Sequence, residues 1–187
     1  LGADWRKARL SMQEYFEKLS ENPEKWAKPF TALLGAFEAQ NAMQIPAIGG
    51  KDSMSGTFLD IDVPPNIICF AVAMGEAKNI ISPELKQFGS TLVHLPLQRD
   101  ERDLPDYTYA KELFSLLFEH IKDKTILSAK TLGLESVFAA LFQMGVGHKI
   151  GMAVSAPAKR LFCRGDGDII IEISDKNLLA EFDEKGI

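Results

Sequence analysis

The chain has 187 residues, of which 46% are hydrophobic, and it carries a net charge of −5. This length is enough for one domain of ordinary size or two small ones, with a real hydrophobic core. The acidic balance and the lack of a basic block argue against nucleic acid as a partner, because neutralising phosphates takes clustered lysine and arginine.

The sequence also indicates in which cellular compartment the protein works. No apolar run reaches the ~18 residues that a membrane span needs, and no basic stretch followed by an apolar one opens the sequence, so we expect neither a membrane span nor a signal peptide. Cys69 and Cys163 lie in or near apolar runs without a CxxC neighbour, which predicts buried free thiols and a reducing, cytoplasmic setting. The first residue is Leu1 rather than Met, so we expect the chain to be a piece of a longer polypeptide.

Helical spacing of apolar residues is the main signal in residues 1–44. Two stretches, 11–20 and 29–43, predict helices whose apolar stripes face a core, with Pro29 in the first turn of the second. The stripes consist of Met12, Tyr15, Phe16 and Leu19, and of Phe30, Leu33, Leu34 and Phe37.

Strand and turn signals follow. Residues 45–48, IPAI, predict a strand that enters a glycine loop, and the two prolines in 60–66 predict a turn. The unbroken apolar run 67–75, IICFAVAMG, is typical of a strand that is covered on both faces.

The second half alternates strand and helix signals, which favours an α/β or α+β fold with a domain boundary near residue 80. Residues 97–107 hold six charged side chains and predict an exposed loop. The remaining patterns predict helices at 82–89, 108–122, 134–144 and 175–184, and strands at 90–96, 125–129, 150–155 and 168–174.

The candidate functional segment is IGGKDSMS, residues 48–55. Glycines let a backbone approach a ligand closely, and successive free amides form an anion site. Lys51 adds a positive charge, and Asp52 is a weak candidate for holding Mg²⁺ with phosphate oxygens. The predicted substrate- and phosphate-binding residues are Gly49, Gly50, Lys51, Asp52, Ser53 and Ser55.

Three known phosphate-binding patterns can be compared with this segment. A Walker loop fails, because Gly50 and Lys51 are followed by Asp52 rather than Ser or Thr. A GxGxxG dinucleotide loop fails too. The SGGxDS loop of adenylating ATP-pyrophosphatase domains matches except at Ile48, but that loop precedes a helix, whereas Pro64 and Pro65 follow closely here. It remains the alternative.

The run AIGGKDSMSGTF followed by DIDVPP closely resembles the second synthetase half of phosphoribosylformylglycinamidine synthase in its long, single-chain form. The opening LGADWRKARLSMQEYFEKL and the stretch FTALLGAFEAQNAMQ are similar to the segments that precede this run in that family. The resemblance is strong over residues 1–75 and weaker, though collinear, to the end.

The resemblance implies a fold and a reaction. The fold is that of the aminoimidazole ribonucleotide synthetase-like ATP-binding superfamily, with residues 1–80 as the last part of an α+β N-terminal domain and 81–187 as most of an α/β C-terminal domain. The reaction is ATP-dependent: the formamide oxygen of formylglycinamide ribonucleotide is phosphorylated, and ammonia from glutamine displaces the phosphate. The implied cofactors are ATP and Mg²⁺, and the implied partners are the first synthetase half and the glutaminase domain of the same polypeptide.

Two departures from the family pattern lead to further expectations. The family's HDRSDGG run corresponds to LSAKTLGLESV, residues 127–137, which keeps little of it, so Lys130, Thr131 and Gly133 do not inherit its roles. This favours a further alternative, a non-catalytic scaffold half that holds a nucleotide. The family's metal ligands belong to a segment that precedes residue 1, so we expect the chain alone to lack synthetase activity, and its catalytic residues stay unassigned.

Overall fold

A computed structural model describes residues 2–187, and the chain divides into two compact units. The first unit spans residues 4–74, and the second spans 75–187 together with Gly2 and Ala3. The first unit contains strands and one long helix: β1 Arg9–Tyr15, α1 Pro23–Met43, β2 Ala47–Ser53, β3 Thr57–Phe58, β4 Ile61–Asp62 and β5 Asn66–Val72.

The first unit is built around β1. Strand β1 pairs in parallel with β2 and antiparallel with β5, giving the order β2-β1-β5, while β3 and β4 form a small hairpin. Helix α1 connects the parallel pair, as a crossover must. Asn22 caps α1 by accepting the N–H of Glu24 at 2.9 Å, and Pro23 opens its first turn.

The prediction of a helix over 11–20 is wrong. Leu10 and Met12 alternate with Ser11 and Gln13 in β1, and this period of two suits a strand held by partners at both edges. Phe16, just beyond β1, is buried as predicted. The apolar residues at helical spacing extend across the end of β1 into the following turn, and pairing with β2 and β5 determines the strand conformation.

Helix α1 confirms the prediction over 29–43 but begins six residues earlier, so Pro29 lies inside it rather than in its first turn. The predicted burial of its apolar stripe is wrong: Pro29 is the buried residue of α1, whereas its large apolar side chains are exposed. The exposed side chains are Trp26, Phe30, Leu33, Leu34 and Phe37.

Strand β5 likewise confirms a strand within 67–75 and contradicts its predicted cover. All seven of its residues are exposed, because β5 pairs with β1 at one edge and no described residue covers its faces.

The second unit has a three-stranded antiparallel sheet with helices on both faces. The order is β6-β8-β7, so β8 is central. The elements are β6 Thr91–Leu95, α2 Tyr107–Lys122, β7 Ile126–Thr131, α3 Val137–Val146, α4 Ala158–Phe162, β8 Ile169–Ile173 and α5 Asn177–Glu184. The predicted elements at 90–96, 108–122, 125–129, 134–144, 168–174 and 175–184 are therefore confirmed, with small shifts at their ends, whereas α4 was missed.

Alternation along β8 gives the second unit a core on each side of its sheet. Ile169, Ile171 and Ile173 pack with apolar residues of α2 and α5, while Ile170 packs with those of α3. All five residues of β8 are buried, including Glu172, which interrupts its isoleucines.

The predicted helix over 82–89 is wrong, and buried Glu172 of β8 gives the reason. The backbone N–H groups of Lys86 and Gln87 donate to its carboxylate at 2.8 and 3.2 Å, and the hydroxyl groups of Ser90 and Ser128 donate at 2.7 and 2.9 Å. A helix would use those N–H groups for its own carbonyls.

The predicted strand over 150–155 is also wrong. Within the described chain these residues join no ladder, and the N–H of Ile150 donates to the carbonyl of Gly145 at 3.0 Å. Apolar composition alone does not make a strand where no partner strand lies alongside.

Candidate functional site

The predicted glycine loop is a strand in the structure. Gly49, Gly50, Lys51 and Asp52 lie inside β2, Ser53 ends it, and Ser55 follows in the turn toward β3. Strand β2 is at the edge of its sheet, so alternate peptide groups point away from β1. The expectation of a loop is therefore wrong, although an outward row of backbone groups is present.

The two central glycines have different structural roles. A Cβ on Gly50 would lie 2.2 Å from the carbonyl oxygen of Met12 in β1, so only glycine allows this close pairing. A Cβ on Gly49 would meet no atom within 4 Å. Gly50 is thus required by the sheet, while Gly49 leaves space beside the exposed backbone.

Lys51, Asp52 and Ser55 are exposed, and Ser53 is half-buried. Lys51 Nζ donates to the backbone oxygen of Asp52 at 3.1 Å and pairs with no carboxylate among residues 2–187. The hydroxyl oxygens of Ser53 and Ser55 lie 3.5 Å apart. A lysine without an acidic partner beside two hydroxyl groups is suited to binding an anion.

Glu14 lies next to the candidate segment, which the sequence analysis did not predict. In the parallel register Glu14 of β1 lies opposite Asp52 of β2. Burial, and then the charge of Asp52, raise the pKa of the Glu14 carboxyl. The alternation in RLSMQEY was the signal that could have placed Glu14 in a strand next to the glycine segment.

The segment after β2 does not resemble the pyrophosphatase pattern. Residues 57–72 form β3, β4 and β5 with turns between them, and no helix starts at Ser53. Thr57 Oγ1 donates to Asp62 Oδ1 at 2.7 Å and helps close the β3–β4 hairpin. The helix that an SGGxDS loop requires is replaced by strands, which argues against that alternative.

The divergent segment 127–137 forms the end of β7, a loop and the start of α3. Glu135 closes the loop by accepting the N–H of Gly133 at 3.0 Å and pairing with Lys130 at 3.2 Å. Hydrogen bonds from its own N–H and from that of Gly133 lower the pKa of Glu135, with a smaller contribution from Lys130. Ser136 caps α3 by accepting the N–H of Ala139 at 3.3 Å.

Both cysteines are free, and both are exposed, so their predicted burial is wrong. Cys69 lies on the uncovered β5, and partial desolvation raises the pKa of its thiol. Among the described residues, no three His, Cys, Asp or Glu side chains come together to hold a metal. Asp52 and Glu14 are two carboxylates and so fall short of such a cluster.

Comparison with solved structures identifies the fold. The chain superposes on Thermotoga maritima PurL complexed with AMPPCP with a TM-score of 0.67, 14% identity and cover of 95% of this chain and 31% of that one. It superposes on T. maritima PurL complexed with FGAR with a TM-score of 0.65 and 12% identity, covering 95% and 33%. For E. coli HypE, a hydrogenase maturation protein, the values are 0.57 and 12%, with cover of 92% and 60%.

The chain therefore shares the mixed α/β fold of PurL and HypE, and it spans about a third of the length of the PurL structures. No protein-family profile and no curated protein sequence match it. In the part of the chain that the structure describes, no helix has both the length and the apolar character to cross a bilayer.

Proposed function

We propose that this chain is part of the second synthetase half of a phosphoribosylformylglycinamidine synthase, an ATP-dependent carbon–nitrogen ligase of purine biosynthesis. The observation that carries the proposal is that the GGKDS part of the GGKDSMSGTF run lies on an exposed edge strand of a chain with the PurL fold. The superposition, at low sequence identity, supports the fold, and the sequence motif is what points to this particular family. Residues 1–80 and 81–187 are the proposed N-terminal-type and C-terminal-type domain portions.

The proposed role of residues 49–55 is to bind phosphate of the substrate or of ATP. Outward amides of β2 and the unpaired Lys51 supply donors and positive charge, and the hydroxyl groups of Ser53 and Ser55 add further donors. PurL structures with AMPPCP and FGAR support these two ligand classes.

The chemistry follows from activation of an electrophile. An amide oxygen is a poor leaving group, and phosphorylation by ATP makes it a good one, so that ammonia from the glutaminase domain of the same polypeptide displaces phosphate. Catalysis of such a transfer rests on positioning and on neutralising charge. Lys51 and the β2 amides would supply part of the positive charge and the N–H donors that neutralise the phosphate groups.

The scaffold alternative rests on one specific observation. Where the family has HDRSDGG, the side chain of Glu135 is engaged with Gly133 and Lys130. A half that has lost this run would hold a nucleotide without turning it over. Nucleotide retained through many reaction cycles without hydrolysis would favour this alternative over a catalytic role.

Lys51→Ala tests the proposed site. Because the substitution removes the unpaired cation, we expect binding of ATP or formylglycinamide ribonucleotide to weaken at least about tenfold. Lys18→Ala is the matched control, since Lys18 is exposed in the same unit and its loss removes the same charge. Calorimetric titration of both variants measures the difference, and equal affinities for the two variants would contradict the proposal.

A further inference from the structure

A cationic cavity lies wholly within the 75–187 unit, beside the short helix α4. It has a volume of about 410 Å³, and its wall includes Lys159, Arg160, Arg164 and His94, with Asp168 as the one acidic side chain. The net charge of the chain is −5, so a cavity with a cationic surplus departs from the average of the molecule.

The cations of this cavity differ in how they are engaged. Arg164 Nη2 lies 2.7 Å from Asp166 Oδ2, so its charge is already compensated. Lys159 and Arg160 pair with no carboxylate of residues 2–187, and both are exposed. Two uncompensated cations next to each other in sequence and on one wall favour a ligand of at least one negative charge.

His94 adds an oriented ring nitrogen. Its Nε2 lies 2.7 Å from Asp168 Oδ2, while Asp168 Oδ1 accepts the N–H of Leu97 at 2.9 Å. Because the carboxylate accepts, Nε2 carries the proton, and Nδ1 is left without a partner among the described residues. Both oxygens of Asp168 are thus engaged, which weakens its repulsion of an anion.

The space around these groups is larger than a bare anion needs. Pro96, Val137 and Pro157 line the same cavity with apolar surface. A neighbouring cavity of about 630 Å³ shares His94, Val137 and Arg160 with it. An anion held at Arg160 could therefore extend an attached organic group into the neighbouring space.

We propose that Lys159 and Arg160 bind the phosphate group of a small phosphate ester, with the apolar wall contacting the ester's organic part. A guanidinium fork and an ammonium together match the geometry and charge of a phosphate. The site is separate from the β2 segment, since every residue that lines it belongs to the 75–187 unit.

The test is a titration of the 187-residue protein followed by amide NMR signals of α4 and β6. The probes are ribose 5-phosphate, inorganic phosphate and ribose. We expect saturable shifts at α4 with ribose 5-phosphate, weaker binding of inorganic phosphate and none of ribose. Lys159→Ala combined with Arg160→Ala should weaken binding at least about tenfold, while Arg160→Lys, which keeps the charge, should lose less.

Two controls separate binding in this cavity from a general effect of lost positive charge and from binding at β2. The pair Lys176→Ala and Lys185→Ala removes the same charge from exposed positions outside the cavity and should leave the shifts intact. Lys51→Ala should also leave them intact, so failure at β2 and failure at α4 are distinguishable. Equal weakening by both double variants, or α4 signals that do not saturate, would overturn the proposal, and inorganic phosphate binding as tightly as the ester would overturn the ester assignment.

Discussion

Strand β8 of the 75–187 unit and strand β5 of the 4–74 unit are both rich in apolar residues, yet all five residues of β8 are buried and all seven of β5 are exposed. Strand β8 has a partner at each edge and apolar side chains of helices on both faces. Among the described strands, β5 pairs with β1 alone. An apolar sequence therefore shows that a strand can be buried, whereas the elements packed against it determine whether it is buried.

The helices show the same contrast. Leu113 of α2 is fully buried at 0% exposure, whereas Leu34 of α1 is 50% exposed. Both are leucines inside long helices, so their difference comes from packing and not from residue type. The second unit contains both core clusters of the described residues, and the first unit has an apolar helix face without cover.

The largest expected difference is between alanine substitutions of these two leucines. Leu113→Ala leaves a cavity in a closed core, so we expect a loss of about 3–5 kcal/mol from the free energy of unfolding of the 75–187 unit. Leu34→Ala should change the stability of its own unit by less than about 0.5 kcal/mol. Native-state hydrogen exchange of β8 and α1 amides measures the two units separately; similar losses for both variants would contradict the contrast.

Glu172→Ala should have the next largest effect. The substitution leaves two backbone N–H groups and two hydroxyl groups without their acceptor in a buried site, so we expect a loss of about 2–4 kcal/mol. The first amides to lose protection in hydrogen exchange should be those of Lys86 and Gln87. Glu172→Gln is the matched control: it keeps one acceptor oxygen and should lose less, and a larger loss than that of the alanine variant would argue against the hydrogen-bond account.

The adjacent glycines of β2 allow a similar comparison, between a packed and an open position, within the first unit. Gly50→Ala forces a Cβ against the backbone of Met12, so we expect a loss of about 1–3 kcal/mol and faster exchange of the amides that join β1 and β2. Gly49→Ala places its Cβ in open space and should leave that ladder protected. Equal protection in both variants would show that the close approach of β1 and β2 does not depend on Gly50.

The sequence predicts the second unit better than the first for a physical reason. In α2 the apolar stripe is also the buried face, so periodicity places this helix within a few residues. In β1, helical spacing of Met12, Phe16 and Leu19 competed with strand alternation, and only the partners β2 and β5 decide between them. Likewise the loss of helix at 82–89 depends on Glu172, about 85 residues later, and no local pattern contains that contact.

The candidate site was predictable in composition but not in geometry. Glycine, lysine and serine clustering indicates anion binding whether the segment is a loop or an edge strand. That the segment is a strand, that Gly50 is required by Met12, and that Glu14 lies beside Asp52 all follow from the parallel pairing of β1 and β2. Parallel register links residues nearly forty positions apart, and a single sequence holds little information about it.

The last expected effect concerns charge in the first unit. Glu17, with its side chain only 5% exposed, pairs with Lys25 at 2.5 Å and with Lys28, and Lys25 also lies 3.7 Å from Asp62. Hydrogen bonds from Lys25 and then Lys28 lower the pKa of Glu17 from 4.5 to about 2. The folded-state pKa is below the unfolded value, so the stabilisation from Glu17 is complete above pH 4.5 and is lost as the pH falls toward about 2.

Glu17→Gln isolates this contribution from the other carboxyl groups that titrate in the same range. The variant should be less stable than the parent at pH 6, because two lysines lose their partner, and the difference should shrink steadily between pH 4.5 and about 2. Hydrogen exchange of α1 amides across that range measures it, and a carbon NMR titration of the Glu17 carboxyl reads the pKa directly. A difference that stays constant with pH would mean that the glutamate acts through packing and hydrogen bonding rather than through its charge. The ion pairs with Lys25 and Lys28 would then not be what stabilises the start of α1.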